Sequence, residues 1–296
     1  MSLDSSIIGF TEFQDDIERN LHRDLALIPA SGEIPCIYLF SNPPSSHEPH
    51  SALTWLIQAV YEQWPEQARR ILRNRIHYKG IFRPLESGML KVTAKRVAQH
   101  SSLPELFREL GVRTQGFRRM EVCSVGLRGV ESPVAVEELE VPRSEPSLVD
   151  WVRGQVSHLQ EIRRGVPLHL TDRPVVAILV DSQGRVLSQA HNQNRSNKTL
   201  HAELQLAQNW WGMHRSPFPE GSRLYVSLKP CKMCAGAIWQ MSKAPGSTEV
   251  IFLEDDPGSF ARETILDEGS LERVRFCDES IHRLAIQRQI QWDWKK

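Results

Sequence analysis

The sequence predicts an α/β protein. Residues 146–296 are expected to form a three-layer α/β/α domain with a mixed sheet, preceded by an α/β accessory domain over residues 1–145. Three observations carry this. Short β-rich segments alternate with amphipathic helical segments through the second half, the composition shifts at "VEELEVPRSEPS", and 40% hydrophobic against 24% charged residues is the balance of a globular chain. A length of 296 residues also exceeds the usual single domain.

In the first half, "IPCIYLF" and "MEVCSVGL" read as strands around a long helical stretch, "SALTWLIQAVYEQWPEQARRILRNRI". Polar, proline-bearing runs such as "SNPPSSHEPHS" separate them as loops. The acidic, proline-containing "VEELEVPRSEPS" marks the domain boundary.

The second half has a clearer order. "LVDWVRGQVSHLQEIRRG" places Leu148, Val152, Val156, Leu159 and Ile162 near helical spacing and predicts an amphipathic helix ending at Gly165. "PVVAILVDSQGRVLSQAHN" predicts two strands around a Gln183-Gly184 turn. In "LHAELQLAQNWWG", Leu200, Leu204, Ala207 and Trp211 follow a helical period, and Gly212 suits the position just past a helix. Then come a strand "RLYVSL", a helix "CKMCAGAIWQM" and a strand "TEVIFLE". The tail from Leu271 is expected to supply one more strand and a helix. The pair Trp210-Trp211 reads as helix-packing material rather than a base-stacking platform.

Lys+Arg and Asp+Glu number 36 each, so the chain is no wholesale polyanion binder, although local basic stretches such as "QARRILRNR" and "GFRR" remain. The N-terminus lacks a basic region followed by an apolar run, and no segment approaches the ~18 apolar residues of a membrane span. A cytoplasmic protein without a membrane partner is expected. Five scattered cysteines make no disulfide framework, and Cys36, Cys123 and Cys277, in apolar stretches, read as buried thiols.

Cys231 and Cys234, in "SLKPCKMCAGAIW", are different: two thiols three positions apart, behind a proline that suits the first turn of a helix. His201 and Glu203 open the helix before the "RLYVSL" strand. Three readings follow for this set: a structural zinc site closed by His191, His214 or Cys277, a redox dithiol, or a catalytic metal site. H-x-E together with P-C-x-x-C favours the last. His201, Cys231 and Cys234 would hold Zn²⁺ with two thiolates balancing its charge, and one position would remain open. Both helix N-termini would favour the thiolate form. Glu203, two residues from His201, would take a proton from water and return protons to substrate.

These residues, "LHAEL" and "PCKMCAGAI", resemble the cytidine and deoxycytidylate deaminase superfamily of zinc-dependent nucleobase deaminases over the second half of the chain, nearest its branch of tRNA adenosine deaminases and guanine deaminases. The resemblance implies a cytidine-deaminase-like fold, a Zn²⁺ cofactor, an asparagine contact to the base from Asn192, and a small pocket wall at Ala202 with main-chain groups of Ser227 and Leu228 near the substrate. Members of the superfamily are often dimers or tetramers, so the resemblance allows a homodimer, or a two-domain chain that meets the same need internally. Lys229 departs from the S-L-E-P-C pattern of relatives. Asp255, Asp256 and Phe260, after the next strand, read either as residues near the pocket mouth or as an ordinary acidic turn. The first half echoes the second only in "EPHSALTWLIQAVYEQW", a histidine before a long helix without the glutamate or cysteines; it reads either as a degenerate, metal-free copy or as an unrelated accessory domain.

The resulting expectation is a hydrolase that removes an exocyclic amine from cytosine, adenine or guanine, with RNA or tRNA as substrate. The alternatives are deamination of a free base, nucleoside or nucleotide, and a non-catalytic zinc-containing regulatory partner.

Overall fold

A computed structural model of the chain describes residues 7–30, 33–93, 97–99, 116–120, 145–166, 172–195, 197–243, 247–269, 273–275 and 282–285. The chain divides into two compact units, one of Met1–Ser45, His50–Phe82 and Met89–Arg128, the other of Ser46–Pro49, Arg83–Gly88 and Gly129–Lys296.

The described elements of the first half are β1 (Ile7–Ile8), α1 (Phe10–Arg19), β2 (Asp24–Ile28), β3 (Cys36–Ser41), α2 (Ala52–Gln63), α3 (Ala68–Ile71), β4 (Ile76–Lys79), α4 (Pro84–Thr93), β5 (Val97–Gln99) and β6 (Phe117–Arg119). The sheet runs β1-β6-β3-β2-β4-β5. β2 and β3 form an antiparallel hairpin, β4 lies antiparallel to β2, and β5 lies parallel to β4. Phe13 and Ile17 of α1 pack on Leu25, Leu27, Cys36, Tyr38 and Phe117, with the Phe13 and Phe117 rings stacked at 4.0 Å. Asp16 of α1 accepts from the Tyr38 hydroxyl at 2.9 Å and pairs with Arg119 at 2.8 Å.

The single helical stretch expected over residues 51–76 is two helices. Pro65 has no N–H to continue the ladder and disfavours a helical Trp64, so α2 stops at Gln63 and the chain turns before α3. At its start, Ser51 accepts from Thr54 N at 3.2 Å while Thr54 Oγ1 accepts from Ser51 N at 2.8 Å, a reciprocal cap. The strand expected at "MEVCSVGL" lies outside the described residues.

The second unit contains α5 (Glu145–Ile162), β7 (Val176–Val180), β8 (Val186–His191), α6 (Ala202–His214), β9 (Ser222–Leu228), α7 (Lys232–Met241), β10 (Thr248–Glu254), α8 (Ile265–Gly269), β11 (Arg273–Arg275) and β12 (His282–Ala285). Its sheet runs β11-β12-β10-β9-β7-β8. β7 is antiparallel to both β8 and β9, and β10 is parallel to β9, so the sheet is mixed. Every residue of β7 is buried, as a central strand covered on both faces requires. On one face Leu148, Val149 and Val152 of α5 meet Val176, Ile178, Val180, Tyr225, Ile251 and Leu253. The alternate face takes α6, which packs on β7 and β8 and against α7. This is the expected α/β/α layering.

Local differences have local causes. α6 runs through Gly212 to His214, and Arg215 takes the left-handed conformation, φ 50°, that Gly212 was expected to supply. Trp210 holds the extra turn: its ring lies 3.9 Å from that of His214, and its Nε1 donates to Pro217 O at 3.2 Å. Both Trp210 and Trp211 are buried, as packing residues are. The tail contributes two strands, β12 antiparallel to β10 and β11 antiparallel to β12. Any helix after Ala285 falls outside the described residues. No helix among them is long and apolar enough to cross a membrane.

The β7–β8 turn is built around Asp181, whose carboxylate accepts from the N–H groups of Gln183 and Arg185 at 2.9 and 2.8 Å and from Arg185 Nε at 2.6 Å. Burial works to raise its pKa, but the N–H and guanidinium of Arg185 and the N–H of Gln183 outweigh it and leave the value below the ordinary one. The folded state thus favours the ionised form, so the contribution is complete above the ordinary carboxylate pKa of ~3.9 and is lost as pH falls through the folded value. Asp181→Ala is expected to lower unfolding free energy by about 1–2 kcal/mol at pH 7. In urea titrations at several pH values, the gap from wild type should narrow in acid; a gap independent of pH would contradict this account.

Candidate active site

β8, β9 and β10 end at the same edge of the second sheet, because His191 pairs with Val176, Ala177 with Val226, and Leu228 with Glu254. Two helices begin over that edge. His201 is the N-cap of α6, with extended backbone at φ −75° and ψ 149°, and Cys231 is the N-cap of α7, at φ −73° and ψ 171°. Pro230 lies just before the cap instead of in the first turn of α7. Cys234 is the third residue of α7, so one helical turn puts both sulfurs on the same side.

The ligating atoms of His201, Cys231 and Cys234 all lie within 4.8 Å of one another. Cys231 Sγ is 3.6 Å from His201 Nδ1. Both cysteines are free thiols and buried, as is Cys36; Glu203 and Ala202 are buried as well. Cys123 and Cys277 lie outside the described residues. No fourth ligand joins the group among the described residues, and neither His191 nor His214 belongs to it.

The electrostatics follow from this crowding. The Cys234 hydrogen bond, helped by His201 and opposed by burial, holds the Cys231 thiol well below its ordinary pKa. Cys234 is pushed up by burial and by the neighbouring Cys231 charge. Burial would lower the His201 value, but the hydrogen bond and charge of Cys231 outweigh it and raise it. Glu203, the second residue of α6, is pushed up to about 7 by burial and by Cys231.

The donor set fits a soft or borderline divalent cation. Two thiols and one imidazole are ligands zinc favours, and two helix N-termini direct positive potential at the sulfurs. An oxygen-seeking cation such as Mg²⁺ or Ca²⁺ has no such preference.

Asn192 follows β8 directly. Its N–H donates to Val175 O at 2.9 Å and its Oδ1 accepts from Ala202 N at 2.8 Å, capping an otherwise orphaned donor of α6. This bond fixes the orientation of the amide and leaves the Nδ2 donor for another acceptor. The intervening loop is held by Gln193 N to Leu200 O, by Asn197 Oδ1 accepting from Thr199, and by Gln205 Nε2 donating to His191 O and Leu200 O at 2.8 and 3.0 Å. The Ser227 hydroxyl accepts from Val176 N at 3.0 Å and is engaged within the sheet.

Lys229 clasps the segment after β10 at both ends. Its N–H donates to Glu254 O at 2.8 Å, and its ammonium reaches both oxygens of Asp267 at 2.8 and 3.0 Å. Asp267 Oδ2 also accepts from the N–H and hydroxyl of Thr264, while Ile265 and Leu266 are buried. Within the clasped segment Asp256 pairs with Arg173 at 3.3 Å and accepts from Gly258 N, so it is a turn-former, while Phe260 is exposed. The reading of residues missed Asp267, although Thr264-x-x-Asp267 is a helix-capping pattern that could have revealed it.

Residues 167–276 match the sequence model of the Bd3614-like deaminase family. The tRNA-specific adenosine deaminase of Aquifex aeolicus is 37% identical over 67 residues, 22% of this chain and 44% of that protein. That of Agrobacterium fabrum is 41% identical over 70 residues, 22% of this chain and 43% of that protein. The match thus spans less than half the length of these relatives. Among solved structures, one reported under "Biochemical and Structural Studies of A-to-I Editing by tRNA:A34 Deaminases at the Wobble Position of Transfer RNA" is 26% identical, with a TM-score of 0.30, over 39% of this chain and 76% of its own. The guanine deaminase of Bacillus subtilis is 18% identical, with a TM-score of 0.29, over 38% and 65%.

Asp267→Ala is expected to leave the largely buried Lys229 ammonium unpaired and to cost about 2–3 kcal/mol. Lys229→Met with Asp267→Leu should recover most of that loss in chemical denaturation; equal losses in the single and double variants would mean that the pair is not the clasp. Over residues 167–276, within the second half, this chain is thus similar to the Bd3614-like deaminase family.

Proposed function

We propose that residues 146–296 form a zinc-dependent hydrolytic deaminase domain that replaces the exocyclic amine of a nucleobase with a carbonyl and releases ammonia. The observation that supports this most directly is the group of half-buried His201 with buried Cys231 and Cys234, whose ligating atoms lie within 4.8 Å of one another, with Glu203 two residues from the histidine. Those three residues would hold the zinc. Zinc held there supplies Lewis acidity that makes water a nucleophile near neutral pH.

The remaining work falls to the chain. Glu203 accepts a proton as water adds to the amine-bearing carbon, gives it to the ring nitrogen, and assists proton transfer to the departing amine. A carboxyl held near the second residue of a helix, away from bulk water, can shuttle that proton without exchanging it with solvent. Asn192 presents its Nδ2 to an acceptor on the base while its Oδ1 stays on Ala202 N, so the same bond that caps the helix fixes the donor's direction. Ala202 keeps the wall beside it small.

The substrate class we favour is a base within RNA, of which tRNA is the form that the related adenosine deaminases suggest. A reducing compartment such as the cytoplasm suits the free thiols. The test is ammonia release by zinc-loaded protein from adenine, cytosine and guanine presented as bases, nucleosides, nucleotides, short RNA strands and tRNA. Glu203→Gln should retain one zinc and lose about 10³-fold or more of turnover. Cys234→Ser should weaken zinc retention by about 100-fold or more, read by metal content after dialysis. Undiminished activity in the Glu203 variant would refute the mechanism. Activity confined to mononucleosides would replace the RNA reading with a small-molecule one, and zinc binding with silence across the panel would favour a non-catalytic partner subunit.

A further inference from the structure

We infer that the first half of the chain is an inactivated copy of the deaminase fold, in which the ion pair Arg83–Glu86 stands at the helix positions that Cys231 and Cys234 hold in the second half. The topology is the first ground. Apart from the four-residue α3 between α2 and β4, the run α1-β2-β3-α2-β4-α4-β5 repeats as α5-β7-β8-α6-β9-α7-β10. In each run the first two strands form an antiparallel hairpin, the third strand lies antiparallel to the first, and the fourth lies parallel to the third. The matching strand orders are β3-β2-β4-β5 and β8-β7-β9-β10.

Register is the second ground, and from the end of the hairpin into the helix that follows it no insertion is needed. Asn42 follows β3 directly and Ser51, nine residues on, caps α2; Asn192 follows β8 directly and His201, nine residues on, caps α6. The first helical residues are then Ala52 and Ala202, the second Leu53 and Glu203, and the seventh Gln58 and Gln208, both buried. In the helix after the third strand of each run, α4 or α7, Arg83 and Cys231 immediately precede the first residue, Glu86 and Cys234 are third, and Gly88 and Gly236 are fifth.

The two glycines supply the third ground. A Cβ on Gly236 would come within 2.5–2.6 Å of the main chain of Pro84 and Leu85, and one on Gly88 would strike that of Lys232 and Met233. The fifth residue of each helix therefore lies on the first two residues of the other. Such reciprocity is what an isologous contact between identical elements produces.

The substitutions remove chemistry while keeping the fold. Leucine at position 53 moves no proton, serine at 51 is a helix cap, and a guanidinium offers no lone pair to a cation. Arg83 donates through Nε and Nη2 to Glu86 at 3.2 and 2.5 Å and through Nη1 to Glu48 O at 2.9 Å, while Glu86 also accepts from Arg83 N at 2.9 Å and is fully buried. The pair closes the first turn of α4 as two thiolates on one cation would close that of α7. The equivalence rests on the metal reading of the second half.

The experiment uses Co²⁺ on the full-length chain, because thiolate ligation gives a charge-transfer band that reports without catalysis. Wild type should take one equivalent with that band, and His201→Ala with Cys231→Ser and Cys234→Ser should take none. Arg83→Cys with Glu86→Cys should add a second set of thiolate intensity. Wild type binding two equivalents, or a folded Arg83→Cys/Glu86→Cys chain with no added band, would overturn the inference while leaving the metal reading of the second half standing. Wild type binding none would overturn both. Independently, Glu86→Gln should lower the melting temperature by roughly 5–15 °C, and Arg83→Met with Glu86→Met should recover at least half of the loss. A melting temperature within about 1 °C of wild type in Glu86→Gln would also overturn it.

Discussion

The second unit depends on two helix N-termini meeting over one edge of a mixed sheet. A helix start carries orphaned N–H groups and positive potential, and placing two of them together is unfavourable unless something negative lies between them. Cys231 lies there, 3.6 Å from the His201 ring, and the hydrogen bonds of Cys234 and His201, against the opposing effect of burial, hold its thiol well below its ordinary pKa. The sheet makes the meeting possible. β7, antiparallel to both its neighbours, brings the ends of β8 and β9 to the same edge, and the parallel β10 adds a third strand end there.

Much of the surrounding polar structure fixes those helix starts. Asn192 caps α6 from the strand before it, Gln205 ties α6 back to His191 O and Leu200 O, and Lys229 binds the segment leading into α7 to Glu254 and Asp267. Each bond joins a donor or acceptor that burial would otherwise leave unsatisfied. The same groups therefore stabilise the unit and hold the donor set in register. Lys229 shows how a departure from a familiar pattern is absorbed: its positive charge is directed at Asp267 of α8, not at the thiols.

The two halves show how little of a fold belongs to its chemistry. Hairpin, helix, strand, helix and strand recur in the same order and pairing, yet the side chains at the two helix starts differ in kind. Backbone geometry places a helix N-terminus at a given point; the residue at its cap and third position decides whether that point carries thiols or an ion pair. Function resides in the site and not in the scaffold.

Sequence alone established the layering of the second half and its seven elements from α5 to β10, because helical and strand periodicities are strong there, and H-x-E with P-C-x-x-C singled out His201, Cys231 and Cys234, which the fold brings together. It also read Trp210 and Trp211 correctly as packing residues. The break at Pro65 was legible in principle but was overridden by the long apolar period around it. Other features were not legible. The overrun of α6 past Gly212 depends on Trp210 contacts that exist only after folding. The Lys229–Asp267 clasp joins residues 38 positions apart in sequence. The likeness we infer between the halves rests on strand order and pairing, which no run of residues displays, and on a few shared positions such as Asn42 and Asn192 or Gly88 and Gly236, which stand out only once the strands are aligned. Local patterns thus determined the elements and the chemistry they carry, whereas tertiary structure decided which distant groups meet, because a pairing or an ion pair across the chain is set by the sum of packing and not by any one segment.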